Sequence, residues 1–148
     1  MSRLAEADID NALDIESDSF SVPWDRASFE RELSEENAHC LVIRKRRPKE
    51  PDRVIAYLCF RLNRLQVYIT NLAVDPAYRR RGVATFLLGY SLGLAKGRSA
   101  EKALLEVRES NHAAIQLYKK VGFCETGRRE GHYFETEESA VVMVKELT

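Results

Sequence analysis

The chain has 148 residues and a mass of 17.0 kDa, the size of one ordinary domain. Hydrophobic residues make up 45% of it and charged residues 31%, with 7 glycines and 4 prolines, which excludes collagen, a coiled-coil rod and low-complexity disorder. The 23 basic and 23 acidic residues cancel, so a general electrostatic attraction to nucleic acid is not expected.

The sequence predicts a single cytoplasmic domain over residues 1–148. No apolar run is long enough to cross a membrane, and MSRLAEADID at the N-terminus lacks the apolar core of a signal peptide. Cys40, Cys59 and Cys124 are widely spaced, with no C-x-x-C motif and no paired histidine. They are interpreted as small buried thiols of a reducing compartment, and neither a zinc site nor a disulfide framework is expected.

The first part of the chain predicts a very short strand and two helices. The strand is at Ser2–Leu4, and apolar residues at helical spacing predict a helix over Ala7–Ser19. A second helix is predicted to begin at Asp25, which is a good N-cap. Trp24 and Phe29 have the spacing of a hydrophobic staple around that cap.

Three β-rich runs follow, at Cys40–Ile43, Val54–Phe60 and Gln66–Val74. Between the first two lies Arg44–Arg53, with six basic residues and two prolines. It is interpreted as a hairpin connection whose charges are solvated; contact with RNA or with an acidic partner is the alternative.

The second half predicts a helix over Gly82–Lys96, a strand at Ala103–Val107 and a helix over Asn111–Val121 that Gly122 ends. The first of these helices is expected to pack on a sheet through Val83, Phe86, Leu87, Tyr90 and Leu94. Two strands, Phe123–Gly127 and Ala140–Leu147, close the chain. The element order β-α-α-β-β-β-α-β-α-β-β predicts a mixed α/β sheet with antiparallel hairpins and crossover helices.

The segment Asn71–Phe86, NLAVDPAYRRRGVATF, indicates an anion site. A strand ends in Asp-Pro, three arginines follow, and Gly82 and Ala84 open a helix whose first N–H groups and partial positive charge favour phosphate. Small residues there let an oxygen approach the backbone, and the arginines can add contacts from the rim. Neither G-x-x-x-x-G-K-S/T nor G-x-G-x-x-G is present.

Arg79-x-x-Gly82-x-Ala84 matches the R/Q-x-x-G-x-G/A signature of the GNAT acyltransferase superfamily, and Leu105–Phe123 resembles the second half of that family's core. The chain further resembles the bacterial ribosomal-protein-alanine N-acetyltransferases in FSVPWDRASF, in the LEVR strand and in Arg128–Met143. This resemblance implies a mostly antiparallel sheet of six or seven strands and four helices, with a splayed strand pair that binds acyl-CoA.

The resemblance also implies roles for individual residues. Glu106 would be the general base and Tyr118 the general acid that protonates the leaving thiolate. The alternatives are a surface glutamate or a salt bridge with Arg108 for Glu106, and a core tyrosine for Tyr118. Acetyl-CoA would be held by Leu72, Ala73, Val74, Arg79, Arg80, Arg81, Gly82, Val83, Ala84, Thr85 and Asn111, with a backbone N–H of the Leu72–Val74 strand donating to the thioester carbonyl.

The implied reaction moves acetyl from acetyl-CoA to the N-terminal α-amine of a protein, with a ribosomal protein that begins with alanine as the acceptor and no metal. An α-amine has a pKa of about 7.7–8.0 against about 10.4 for lysine, so a modest base suffices. Trp24, His132 and Tyr133 are candidates for the walls of the peptide site, although the staple alone explains Trp24. Two alternatives stay open: an enzyme acting on lysine or a small-molecule amine, and a non-catalytic acyl-CoA-binding module. Neither a nucleic-acid partner nor a membrane is expected.

Overall fold

The strands form one sheet, and amphipathic helices cover both of its faces. The structure, a computed structural model, describes the backbone of residues 2–20, 22–133 and 138–147, and their side chains apart from those of 130–133 and 138. Its helices are α1 (Ile9–Ser19), α2 (Arg26–Ser34), α3 (Val83–Gly97) and α4 (His112–Val121). Its strands are β1 (Ser2–Arg3), β2 (Ala38–Lys45), β3 (Arg53–Asn63), β4 (Gln66–Val74), β5 (Lys102–Arg108), β6 (Cys124–Tyr133) and β7 (Glu138–Glu146).

The seven strands form one sheet in the order β1-β2-β3-β4-β5-β7-β6. Every neighbouring pair is antiparallel except β4 and β5, which are parallel and joined by the crossover helix α3. The predicted element order and the mixed, mostly antiparallel sheet are therefore confirmed.

The parallel pair β4–β5 separates part of the way along its length. Gln66–Ile69 pairs with Lys102–Leu105, and the pairing ends there. β4 continues to Val74 and β5 to Arg108, so a gap opens in the middle of the sheet toward the carboxyl ends of both strands. This gap is the predicted splay.

Alternate residues of β3 supply two hydrophobic clusters, one on each face of the sheet. Ala56 and Leu58 join the cluster covered by α3, whereas Tyr57 and Cys59 join the cluster covered by α1 and α2. β3 is buried on both faces from Val54 to Phe60, because helices cover both sides of it.

The start of α2 follows the predicted capping pattern. The Asp25 carboxylate accepts a hydrogen bond from the Ser28 N–H at 2.8 Å. The Trp24 and Phe29 rings meet edge to face with centroids 5.2 Å apart, which closes the hydrophobic staple. The staple fixes the direction in which the loop between α1 and α2 enters the helix.

The predicted contact face of α3 is confirmed for Leu87 and Val83, which pack in the core, and wrong for Phe86, Tyr90 and Leu94. Its buried residues are Leu87, Leu88, Ser91, Leu92 and Ala95. Phe86, Tyr90 and Leu94 lie on the exposed side, with Phe86 59% exposed. Because α3 carries apolar residues on both sides, its periodicity does not identify the side that faces the sheet.

Two smaller expectations are also corrected. β6 extends to Tyr133, beyond the predicted end at Gly127, as an edge strand whose exposed residues lack the alternation that reveals a half-buried strand. Cys40 and Cys59 are buried as expected, but Cys124 is exposed.

Candidate active site

A cleft of about 180 Å³ occupies the gap between β4 and β5. One wall is the unpaired part of β4, the other is the end of β5 with the first half of α4, and the loop between α1 and α2 closes one side. Its lining residues are Glu16, Phe20, Val22, Trp24, Ile69, Thr70, Asn71, Leu72, Leu105, Glu106, Val107, Arg108, Asn111, Ala114 and Tyr118. Two predicted catalytic residues, Glu106 and Tyr118, thus meet in one cleft with Leu72 and Asn111.

The unpaired length of β4 presents main-chain groups to the cleft. On its other side, β4 is bonded to β3 through Leu72, Ala73 and Val74. Alternate residues of a strand turn their N–H groups to opposite sides, so the part of β4 beyond Ile69 has donors directed into the gap. The predicted donor strand therefore has main-chain N–H groups on the side that borders the gap.

The predicted phosphate cradle lies at the N-terminus of α3. Gly82 is the N-cap residue and has φ +76°, a left-handed conformation that glycine adopts without strain. The first helical bond runs from the Phe86 N–H to the Gly82 carbonyl at 2.9 Å, so the N–H groups of Val83, Ala84 and Thr85 precede the bonded turns. A Cβ at Gly82 would meet no heavy atom within 4 Å, which leaves open space for an anion in front of these donors.

The three arginines before Gly82 have different surroundings. The Arg79 guanidinium donates to the Val74 carbonyl at 3.0 Å and to the Ser19 hydroxyl at 2.9 Å. It therefore braces the turn against the end of β4 and against α1. Arg80 and Arg81 are exposed, with the Arg81 guanidinium 5.5 Å from the centre of the Tyr78 ring.

Glu106 projects from β5 on the face opposite the buried Leu105 and Val107, as strand alternation predicts. Its carboxylate accepts a hydrogen bond from Arg129 of β6 at 2.6 Å. The side chain of Glu106 is 13% exposed and that of Arg129 is 57% exposed. Glu106 thus forms an ion pair with Arg129, and Arg108 lines the same cleft.

Tyr118 and Asn111 position α4 against the cleft. Tyr118 is buried and its ring meets Phe123 edge to face at 5.7 Å. Asn111 is the N-cap of α4, where its Oδ1 accepts from the Ala114 N–H at 3.2 Å. The Asn111 side chain thus combines a structural bond with a place in the cleft wall.

Of the predicted peptide-wall residues, Trp24 lies in the cleft wall as well as in the staple. The side chains of His132 and Tyr133 lie outside the described part of the structure. The backbone of Tyr133 pairs with Glu138 at the far end of the β6–β7 hairpin.

A residue that the sequence analysis did not select, Glu16, also lines the cleft. It is 1% exposed and lies on α1. Its Oε1 accepts from the Trp24 N–H at 2.9 Å, and its Oε2 accepts from Asn71 Nδ2 at 2.9 Å and from the Tyr57 hydroxyl. Burial, with the neighbouring Glu16 carboxylate, raises the pKa of Tyr57 far above its usual range, so Tyr57 stays a donor.

The basic hairpin between β2 and β3 lies beside Tyr78, in the turn that precedes α3. The Lys45 ammonium lies 5.5 Å from the centre of the Tyr78 ring, and Arg53 forms an ion pair with Asp75 at 3.3 Å.

Within the described ranges, no group of three or more His, Cys, Asp or Glu side chains could hold a metal ion. Among the helices that the structure describes, none is long and apolar enough to cross a membrane.

Comparison with known proteins places these features in context. The sequence profile of the acetyltransferase (GNAT) family matches residues 9–123. The chain is 37% identical to a Bacillus subtilis (strain 168) protein provisionally named ribosomal protein bS18-alanine N-acetyltransferase, over 92% of this chain and 87% of that protein. It is 31% identical to the ribosomal protein bS18-alanine N-acetyltransferase of Haemophilus ducreyi, over 95% of this chain and 94% of that protein. The crystal structure of the ribosomal-protein-S18-alanine N-acetyltransferase from Escherichia coli superposes with a TM-score of 0.85 at 28% identity, over 99% of this chain and 92% of that chain.

Proposed function

The chain belongs to the acetyltransferase (GNAT) family, and we propose that it transfers acetyl from acetyl-CoA to the N-terminal alanine of a ribosomal protein. The observation that carries this proposal is the parting of β4 and β5, with the N-terminus of α3 at Gly82 and a carboxylate, Glu106, in the cleft wall. The names of the Bacillus and Haemophilus relatives, which match along nearly the whole chain, support the choice of acceptor.

Acetyl-CoA fits the site from its phosphates to its thioester. The pyrophosphate would accept hydrogen bonds from the backbone N–H groups of Val83, Ala84 and Thr85, in the open space before Gly82. The pantetheine arm would lie in the gap between β4 and β5. The thioester carbonyl would then accept from a main-chain N–H of β4, which stabilises the negative charge that develops on that oxygen.

The acceptor amine would enter from the side of the α1–α2 loop and attack the thioester carbon. That attack would form the new C–N bond and a tetrahedral intermediate, whose collapse would break the C–S bond and release CoA as the thiolate. Glu106 would take the proton that the amine loses, directly or through one water, and Tyr118 would donate a proton to the departing CoA thiolate. Holding both substrates in one cleft supplies a large share of the rate by itself.

The charges around Glu106 support an α-amine acceptor over lysine. Arg129 is bonded to the carboxylate and Arg108 lines the same cleft. Two cations next to the base disfavour an acceptor that must arrive as a charged lysine, whose pKa is about 10.4. An α-amine, with a pKa of about 7.7–8.0, is partly neutral at physiological pH and needs less assistance.

The proposal is tested with purified chain, acetyl-CoA and two peptides, with products measured by mass spectrometry. One peptide has a free N-terminal alanine and no lysine; the other has a blocked N-terminus and contains lysine. We expect acetylation of the first peptide alone. Acetylation of only the second peptide would replace the proposal with a lysine acetyltransferase, and CoA binding with neither product would favour the small-molecule and non-catalytic alternatives.

A further inference from the structure

We propose that Glu16 is a positioning residue for the acceptor side of the cleft. It fixes the loop between α1 and α2 at a set distance from the unpaired part of β4, and the acceptor enters between these two elements. The identity of the acceptor rests on the proposed function; the positioning role rests on the contacts of Glu16 alone.

The Glu16 carboxylate joins three separate parts of the chain. Its Oε1 accepts a hydrogen bond from the main-chain N–H of Trp24, eight residues later in the α1–α2 loop. Its Oε2 holds the side-chain amide of Asn71 on β4 and the hydroxyl of Tyr57 on β3. All three partners supply an N–H or O–H donor, and the two oxygens of the Glu16 carboxylate accept all of them.

Burying the Glu16 carboxylate in this way costs folding free energy that a purely structural contact would not require. A carboxylate that is 1% exposed loses its hydration, and none of the ion pairs between described residues includes Glu16. Another buried carboxylate, Glu32 on α2, is paired with a cation: Arg61 donates to both of its oxygens, at 3.2 and 2.7 Å, and the Thr70 hydroxyl donates to Oε1 at 3.2 Å. Glu32 therefore offers a matched comparison for Glu16.

The location of Glu16 in the cleft wall indicates the function that its buried contacts serve. Asn71 lies two residues beyond Ile69, the last β4 residue that pairs with β5, so it stands at the mouth of the gap. Trp24 stands in the opposite wall, and Glu16, Asn71 and Trp24 all line the cleft. A single carboxylate thus sets the width of the cleft where the acceptor must pass. The pantetheine arm and phosphates are instead proposed to bind along β4 and at the start of α3.

The test compares Glu16→Ala and Glu16→Gln with Glu32→Gln as the control. Glu16→Ala removes all three acceptor contacts; Glu16→Gln keeps the volume and replaces the charge-assisted bonds with weaker neutral ones. Because hydrogen bonds to charged groups contribute about 1.5–3 kcal/mol, we expect the KM for the acceptor peptide to rise roughly tenfold or more in Glu16→Ala and less in Glu16→Gln. The affinity for CoA should stay at the parental value in both.

Trp24 is the only tryptophan of the chain, so its fluorescence reports the position of the loop without any acceptor. In folded Glu16 variants, acrylamide should quench Trp24 more strongly than in the parent, whereas Glu32→Gln should quench as the parent does. If Glu16→Ala does not fold, Glu16→Gln decides the question by the same two measurements.

Unchanged Trp24 quenching and an unchanged peptide KM in the folded variants would overturn the positioning role. Equal losses of peptide and CoA affinity would also overturn it, because they would indicate a general loss of structure. Should the parent acetylate neither peptide, the proposed function fails, but the quenching experiment still tests Glu16 by itself.

Discussion

Glu106 and Arg129 form an ion pair at 2.6 Å that reaches across a strand, since β7 lies between β5 and β6. The carboxylate is largely shielded and the guanidinium is more than half exposed. The carboxylate of the proposed base is therefore held in one orientation by a cation that solvent can reach.

Replacing Glu106 with glutamine removes the proposed base while keeping the shape of the side chain. General-base assistance contributes about 100- to 10,000-fold, so kcat/KM for the acceptor should fall within that range at pH 7. The loss should shrink as pH rises, because the neutral amine then accumulates without help. The measurement is the ratio of parent to variant kcat/KM between pH 7 and pH 9.

Glu109→Gln is the control for that experiment, because Glu109 forms a similar ion pair with Arg128 at 2.8 Å and is absent from the described cleft lining. It should leave the rate near the parental value. A parent-to-variant ratio for Glu106→Gln that stays constant with pH would count against the role of Glu106 as a base.

Replacing Gly82 tests the phosphate cradle. Gly82→Asp places a negative charge where the pyrophosphate is proposed to bind, while Gly82→Asn has nearly the same shape, tolerates positive φ and carries no charge. We expect Gly82→Asp to raise the Kd for CoA roughly tenfold or more above that of Gly82→Asn, as measured by calorimetry. Equal affinities of the two variants would remove the argument for a cradle at this helix end.

Tyr118→Phe tests the proposed general acid. The ring and its contact with Phe123 are retained, so the variant should fold and bind acetyl-CoA as the parent does. Without the hydroxyl, release of the CoA thiolate should slow, and kcat should fall by about 100-fold with KM for acetyl-CoA unchanged. Thiol release followed with a chromogenic disulfide reagent measures this rate, and an unaltered kcat would assign Tyr118 to packing alone.

His39 should make stability depend on pH. Burial lowers the pKa of its imidazole, and the nearby Arg98 and Arg3 lower it further. Because the folded pKa lies below the unfolded value of about 6.5, His39 adds full stability above that pH and loses it as pH falls through the folded pKa. His39→Gln should therefore show a flatter fall of unfolding free energy than the parent between pH 7 and pH 5 in urea titrations; parallel curves would refute this origin.

Local patterns predicted much of the framework. Strand β4 matches its predicted range, Gln66–Val74, since it is a long β-branched run that ends at Asp-Pro. The cap at Asp25 and the helix-ending Gly122 were predicted because capping depends on residues only a few positions apart. The exposed side of α3 was not predicted. A helix with apolar residues on every side has no sequence pattern that shows which side faces the sheet.

The contacts that define the site are mostly long-range, and the sequence could not pair them. Arg129 is 23 residues from Glu106, and only the sheet order brings the two together. Glu16 did leave a signal: it shares a helix face with Ile9 and Ala12, at spacings of seven and four, and a charged residue on an apolar stripe calls for buried partners.

The most direct test of the central claim uses the small-subunit ribosomal protein bS18 itself, from the same organism as the chain. Intact bS18 is incubated with acetyl-CoA and the parent enzyme or Glu106→Gln, and the products are fragmented in the mass spectrometer. The account predicts one added acetyl group, located on the N-terminal alanine, with the parent and far less with Glu106→Gln. Acetylation at internal lysines, or an unchanged bS18 mass beside an enzyme that binds CoA, would contradict it.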